Sequence, residues 1–213
     1  MSDVWSGRAE AYAESDTHRE GRDLDLLISW AEGTTALDVA TGGGHVARRL
    51  RDEGFEVTTL DPAPGMRADV LSAAEHIPFA DGSFDTVATR IAPHHFSDIR
   101  TAVAEMARVA RRVVLVEDTL YDSDEVEEAE LLHDPTHVRS YSEQEWRSFL
   151  EDAGLGVEEV ELQAKGRDFG DWCERTGCTG REREQVRELL GDRVDAQGVY
   201  TDTKILIRAR KPA

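Results

Sequence analysis

The chain has 213 residues, 39% hydrophobic and 32% charged, enough for one α/β core. No apolar run approaches the roughly 20 residues that a membrane span needs. The formal charge is -19, and a surface of that sign repels nucleic-acid phosphates and anionic lipids, which leaves a small molecule or a second copy of the chain as partner. All but three of the 25 basic residues are arginine, the exceptions being Lys165, Lys204 and Lys211. Excess Asp and Glu with little Lys suits a salt-rich medium, where screening removes the self-repulsion. The N-terminus lacks a basic and then apolar leader profile, so the cytoplasm is the expected location.

In chain order, 5–32 is predicted as a helical cap, with Leu24, Leu27, Ile28 and Ala31 at helical spacing. Residues 36–40 read as a short buried strand, then glycines, then a helix over about 45–53. A second strand over 55–60 closes at Asp61-Pro62. A third short strand is read over 68–71, so no more than eight residues, 62–69, join it to Asp61. A crossover helix needs about 10–12, so the usual helix there is predicted to be missing or a single turn. The fourth strand covers 84–91, and a helix follows from a cap near Ser97 or Asp98. Residues 113–117, apolar up to the closing Glu117, read as a strand covered on both faces. An acidic helix over 122–132 comes next. Ser142 to Glu145 and Thr179 to Glu182 both match a capping box and open two more helices. Strands at 157–162 and 203–210 finish the chain. This alternation predicts an α/β fold with a mostly parallel, doubly wound sheet in one domain, 1–213. Residues 119–153 would form a helical lid over the substrate region. Cys173 and Cys178 lack the company of a zinc set, and 122–130 lacks the glycine of an EF-hand loop, so no metal is expected.

The informative stretch is Leu37-Asp-Val-Ala-Thr-Gly-Gly-Gly-His45. A strand ends, glycines follow and a helix begins, so a ligand can lie on bare backbone and meet free N–H groups. Gly42, Gly44 and Ala47 also fit the dinucleotide pattern G-x-G-x-x-A. Asp61 ends the next strand, where an acid can accept from both ribose hydroxyls of a nucleotide over the glycines. Together these features point to an adenosine-containing ligand. His94 and His95 follow the fourth strand, where open α/β sheets place their ligands, and His titrates near neutrality. His133, Asp134 and His137 form a second polar cluster, with Arg139 and Tyr141 beside it as part of an acceptor wall.

The successive strings LDVATGGGH, TLDPAPGM, AAEHIPFADGSFDTV and RIAPHHF resemble the motifs of class I S-adenosylmethionine (SAM)-dependent methyltransferases. The branch is the ubiquinone/menaquinone-biosynthesis-like, or type 11, group. The string E-x-I-P-F-x-D-x-S-F-D from Glu75 to Asp85 is its most specific part. The resemblance implies a Rossmann-like, seven-stranded sheet with one antiparallel strand near the C-terminus. It also implies SAM as cofactor, S-adenosylhomocysteine as product, and a small-molecule acceptor that the motifs do not identify. Asp38, Thr41, Gly42 and Gly44 would bed the methionine part, Asp61 would bind the ribose and Met66 would pack on the adenine. Ala74 and Glu75 would line the adenine edge, Arg90 and Ile91 would lie beneath the sulfonium, and Tyr12 and His18 would close the site. His94, His95 and His137 are the candidate catalytic residues. Three departures stand out: Ala73 replaces the usual Asp before the Ala-Glu pair, the crossover after Asp61 is short, and Ala110-Arg-Arg112 lacks the usual Pro-Gly-Gly turn. Two other readings compete, an NAD(P)-dependent oxidoreductase and a non-catalytic binder of SAM or S-adenosylhomocysteine. A monomer or a homodimer is compatible with either.

Overall fold

A computed structural model describes residues 4–7 and 20–212. Seven strands form one sheet: β1 (Thr35–Val39), β2 (Glu56–Asp61), β3 (Val70–Leu71), β4 (Phe84–Arg90), β5 (Ala110–Thr119), β6 (Gly156–Asp168) and β7 (Val199–Arg210). Their spatial order is β3-β2-β1-β4-β5-β7-β6, parallel except that β7 runs against both its neighbours. The helices are α1 (Arg22–Ser29), α2 (His45–Asp52), α3 (Ile99–Val109), α4 (Asp124–His133), α5 (Glu143–Asp152), α6 (Phe169–Thr176) and α7 (Gly180–Leu190).

Alternation along the strands divides the core between the two faces. Ala36, Val113, Leu115 and Leu206 pack under α1 and α2, against Leu24, Leu27, Val46 and Leu50. Leu37, Val39, Val114 and Ile207 pack under α3 and α5, against Val103, Met106, Trp146 and Phe149. A third cluster joins α4, α6 and α7 over Tyr200.

The crossover from β2 to β3 holds only the single 3-10 turn Pro64–Met66, as its length predicts. Likewise, α3 passes into β5 at Ala110 with no intervening turn. Asp98 caps α3 by accepting from the Thr101 N–H at 3.1 Å. Ser142 and Glu145 form the expected capping box, whereas Thr179 makes no side-chain cap bond. Of the 5–32 stretch read as helical, residues 4–7 and α1 are helical, and 8–19 lie outside the described residues. Both closing strands run longer than predicted. Residues 163–168 of β6 and 199–202 of β7, outside the predicted strands, pair as an antiparallel ribbon. Among the described residues no helix is long and apolar enough to cross a membrane.

Candidate functional site

Strand order reverses at β1, which has β2 on one side and β4 on the other. Open α/β sheets bind ligands outside the carboxyl ends of their strands at such a point. Three non-glycine residues there have left-handed backbones: Ala40 (φ 55), Arg67 (φ 54) and Ile91 (φ 50). For β-branched Ile91 this costs about 1–2 kcal/mol. The Ile91 N–H bond to the Glu117 carbonyl, 2.8 Å, helps to hold it. The backbone strain therefore sits where the loops after β1, β2 and β4 converge.

Asp38 lies under the glycine loop, 2% exposed, and accepts from the Thr41 hydroxyl at 2.6 Å and the Ala47 N–H at 3.1 Å. Burial pushes its pKa up to about 6 against those two bonds. Asp38 thus shapes the loop from below. Asp61 accepts from the Gly42 N–H at 3.0 Å and the Ala63 N–H at 2.9 Å, and burial raises its pKa too. Each of its oxygens uses one lone pair, so two acceptor directions remain on the ionised carboxylate.

A cavity of about 730 Å³ lies over the loop, lined by Thr41, Gly42, Gly44, Gly65 and Met66 among others. Gly44 caps α2 in the left-handed region (φ 73), and a Cβ there would meet nothing within 4 Å. The loop's backbone is therefore open to a ligand. The N-terminal segment closes the far wall, where the Gly65 N–H donates to Ser6 Oγ at 3.0 Å. A Cβ on Gly65 would stand 2.6 Å from Ser6 Cα, so only glycine allows that approach. Trp5 meets the His95 ring edge-on, at 4.6 Å between centroids.

Several of the expected cofactor residues also hold the protein's own elements together. Ala74 is buried in the core under α3. Glu75 accepts from the Ser97 N–H (2.8 Å), the Ser97 hydroxyl (2.7 Å) and the Asp98 N–H (3.1 Å), fastening its turn to the start of α3. Arg90 is buried with Nη2 on Asp23 and Nε on Glu117, both at 2.6 Å. Tyr12 and His18 lie outside the described residues.

The three candidate catalytic histidines converge. The His94 and His95 rings are 4.0 Å apart, and His137 is 5.4 Å from His94 and 6.4 Å from His95. His94 Nδ1 meets Asp118 Oδ1 at 2.5 Å, with Asp118 fully buried at the end of β5. His95 Nδ1 is 3.0 Å from the Thr136 carbonyl, so it donates and leaves Nε2 as the acceptor. Burial, then the neighbouring His94, holds the His95 pKa well below the usual histidine value. His137 Nε2 lies 2.8 Å from Glu127 Oε1. Burial opposes its charge, but Glu127 and Glu130 lift its pKa above the ordinary value. Asp118 and Glu127 were missed from the sequence, although an acid straight after the apolar run of β5 was a visible signal. His133 does not join this group; it stacks on Trp172 at 3.5 Å, and burial lowers its pKa to about 4. Arg139 and Tyr141 line a separate cavity of about 580 Å³ between α3 and α5. Among the described residues no His, Cys, Asp or Glu group is arranged to hold a metal ion.

Comparison with known proteins agrees with this geometry. Residues 37–115 match the family model described as a methyltransferase domain. The uncharacterised methyltransferase YcgJ of Bacillus subtilis is 32% identical over 209 residues, covering 85% of this chain and 82% of the relative. An uncharacterised methyltransferase of Mycobacterium bovis is 31% identical, covering 89% of this chain and 86% of its own length. The crystal structure of the Bacillus subtilis YcgJ protein superposes with a TM-score of 0.80 at 27% identity, over 90% of this chain and 98% of that one.

Proposed function

The chain belongs to the class I SAM-dependent methyltransferase family, and from that premise we propose a cytoplasmic enzyme that methylates a small-molecule acceptor. The observation that carries the cofactor assignment is the contact of Asp61 with Gly42 beside an open glycine loop. Bare backbone at Gly42 and Gly44 and the two spare acceptor directions on Asp61 fit an adenosyl ligand. Asp61 takes the ribose hydroxyls and Met66 packs on the adenine. Thr41, Gly42 and Gly44 bed the methionine part, on a loop that Asp38 holds in shape. Ala74 and Glu75 form the adenine edge, with Glu75 steadied by the Ser97 turn. Arg90 and Ile91 make the floor.

SAM, when bound, supplies a methyl group already activated on a sulfonium. What remains for the protein is orientation of the acceptor and removal of its proton. The Asp118 carboxylate fixes the His94 tautomer by accepting from Nδ1–H, which leaves Nε2 free to take a proton. His95 presents Nε2 in the same way, and its low pKa keeps that nitrogen unprotonated. His137, anchored on Glu127, completes the acceptor side.

Calorimetry with SAM, S-adenosylhomocysteine and NADH tests the assignment. Both adenosyl sulfur compounds are expected to bind and NADH to give no heat. NADH binding more tightly than S-adenosylhomocysteine would overturn the reading. Transfer of labelled methyl from SAM into a metabolite extract then separates an enzyme from a mere binder.

A further inference from the structure

An open sheet ends in two edges, and each carries backbone N–H and C=O groups that can take another strand. Here one edge is β3, only two residues long. The other is β6, a strand of 13 residues that pairs with β7 alone. None of its residues is buried. Among the described residues, the backbone of 156–167 bonds to nothing but β7. A bulge between Val157 and Glu159 interrupts the ladder, so the regular part of the edge begins at Glu159.

Alternation puts Leu162 and Ala164 on the same face as Val160, which packs with the core under α3 and α5. Glu159, Glu161 and Lys165 point to the other face, where Lys165 Nζ meets Asp23 of α1 at 2.5 Å. That bond uses one of the three ammonium donors. Glu158 is held by Arg208 and Arg210, whereas Glu159 and Glu161 have no ion-pair partner among the described residues.

Charges on an edge normally repel any incoming strand. On β6 they are sorted by sign along the chain, with Glu158, Glu159 and Glu161 ahead of Lys165 and Arg167. That order opposes an in-register parallel copy and complements an antiparallel one, the arrangement that a two-fold axis normal to the sheet generates. The register follows from the same residues. Centred on Gln163, the two strands set Glu161 opposite Lys165 and Glu159 opposite Arg167, each twice, with no like charges facing. Centring on Leu162 or Ala164 keeps only one of these two pairings, and centring on Glu161 sets it against itself. The Gln163 register also sets Leu162, a large apolar side chain left 48% exposed, opposite Ala164 of the second copy. The paired segment, 159–167, spans about 30 Å and lies wholly past the bulge.

We propose that the β6 edge is a dimer interface, at which a second copy of this chain pairs antiparallel about Gln163 and joins the two sheets into one. The proposal is independent of the methyltransferase reading.

Sedimentation equilibrium of the whole chain tests it, at a fixed KCl concentration that screens the overall negative charge. The wild type is expected at twice the mass of one chain. Glu161→Lys and Lys165→Glu should each weaken dimerisation about tenfold or more, since two like-charge pairs then replace two opposite ones. An equimolar mixture of the two variants should dimerise again, because each supplies the charge that the other lost. Gln163→Cys leaves the Lys165 contact with α1 untouched and sets the register. Opposite its own copy, that thiol should cross-link to a covalent dimer when glutathione disulfide accepts the two hydrogens. Glu159→Cys, about 27 Å from its counterpart, should not cross-link. A monomeric wild type overturns the proposal. So does a dimer that both charge variants leave intact and that Gln163→Cys fails to cross-link, since the copies then meet elsewhere.

Discussion

Asp61→Asn separates the cofactor role of Asp61 from its hold on the loop. The isostere keeps one carbonyl oxygen, which can accept from Gly42 N–H or from Ala63 N–H but not from both. The amide group then faces the other donor, and an orphaned buried group costs about 1–3 kcal/mol. Working against this, burial already disfavours the Asp61 charge, and the neutral amide removes that penalty. The net loss of stability is therefore expected to be modest, about 0–2 kcal/mol. Ligand affinity gains no such relief. Hydrogen bonds to a charged group are worth about 1.5–3 kcal/mol, so S-adenosylhomocysteine should bind roughly 10- to 150-fold more weakly. Calorimetry gives the affinity, and a denaturant melt on the same sample gives the stability. A shifted melt with an affinity still within twofold of wild type would refute the ribose assignment and leave Asp61 as a loop pin.

Three further outcomes follow from the same geometry. Asp38 keeps its proton to about pH 6 in the native state, so the stability of wild type relative to Asp38→Asn should fall as pH rises from about 4 to 6 and stay level above. The fall is on the order of 3 kcal/mol, and a pH-independent difference in denaturant melts would contradict it. Asp118→Asn should lower turnover, measured as labelled methyl entering a metabolite extract, by about 10²–10⁴-fold, the range for a lost general base. It should leave S-adenosylhomocysteine affinity unchanged, and undiminished turnover would remove His94 from the acceptor side. With a formal charge of -19, the melting temperature should climb with KCl as screening relieves the self-repulsion, and a flat or falling curve speaks against it.

Features of local origin were legible in the sequence. A glycine run between an apolar strand and a helix declares its own turn, and eight residues after Asp61 cannot hold a crossover helix. The capping box at Ser142 involves four consecutive residues and forms as read. Thr179 shows the limit, since the same pattern begins a helix there without the bond. Likewise, the motif that holds Glu75 does not reveal that its carboxylate bonds Ser97 and Asp98, some 22 residues away. Motif position fixes where a residue stands on the chain. Its partners depend on how the chain closes.

The same reasoning explains why the buried polar contacts of α1 and the sheet were hidden. They join residues far apart in sequence: Asp23 with Lys165, Arg90 with Glu117, Thr119 with Lys204. No window of sequence contains both ends of any of them. The charged residues of β6 and β7 also break the apolar pattern that marks a strand, so both strands were read shorter than they are. Net charge was misleading in another way. It is a sum dominated by exposed Asp and Glu, and it speaks to what docks on the surface rather than to the interior. Inside, desolvation decides which groups keep their charge, and it favours proton retention by Glu117 and Glu130 while Arg167 stays ionised. Net charge therefore says little about the interior of an acidic chain, because burial weakens its carboxylates more readily than its guanidinium groups.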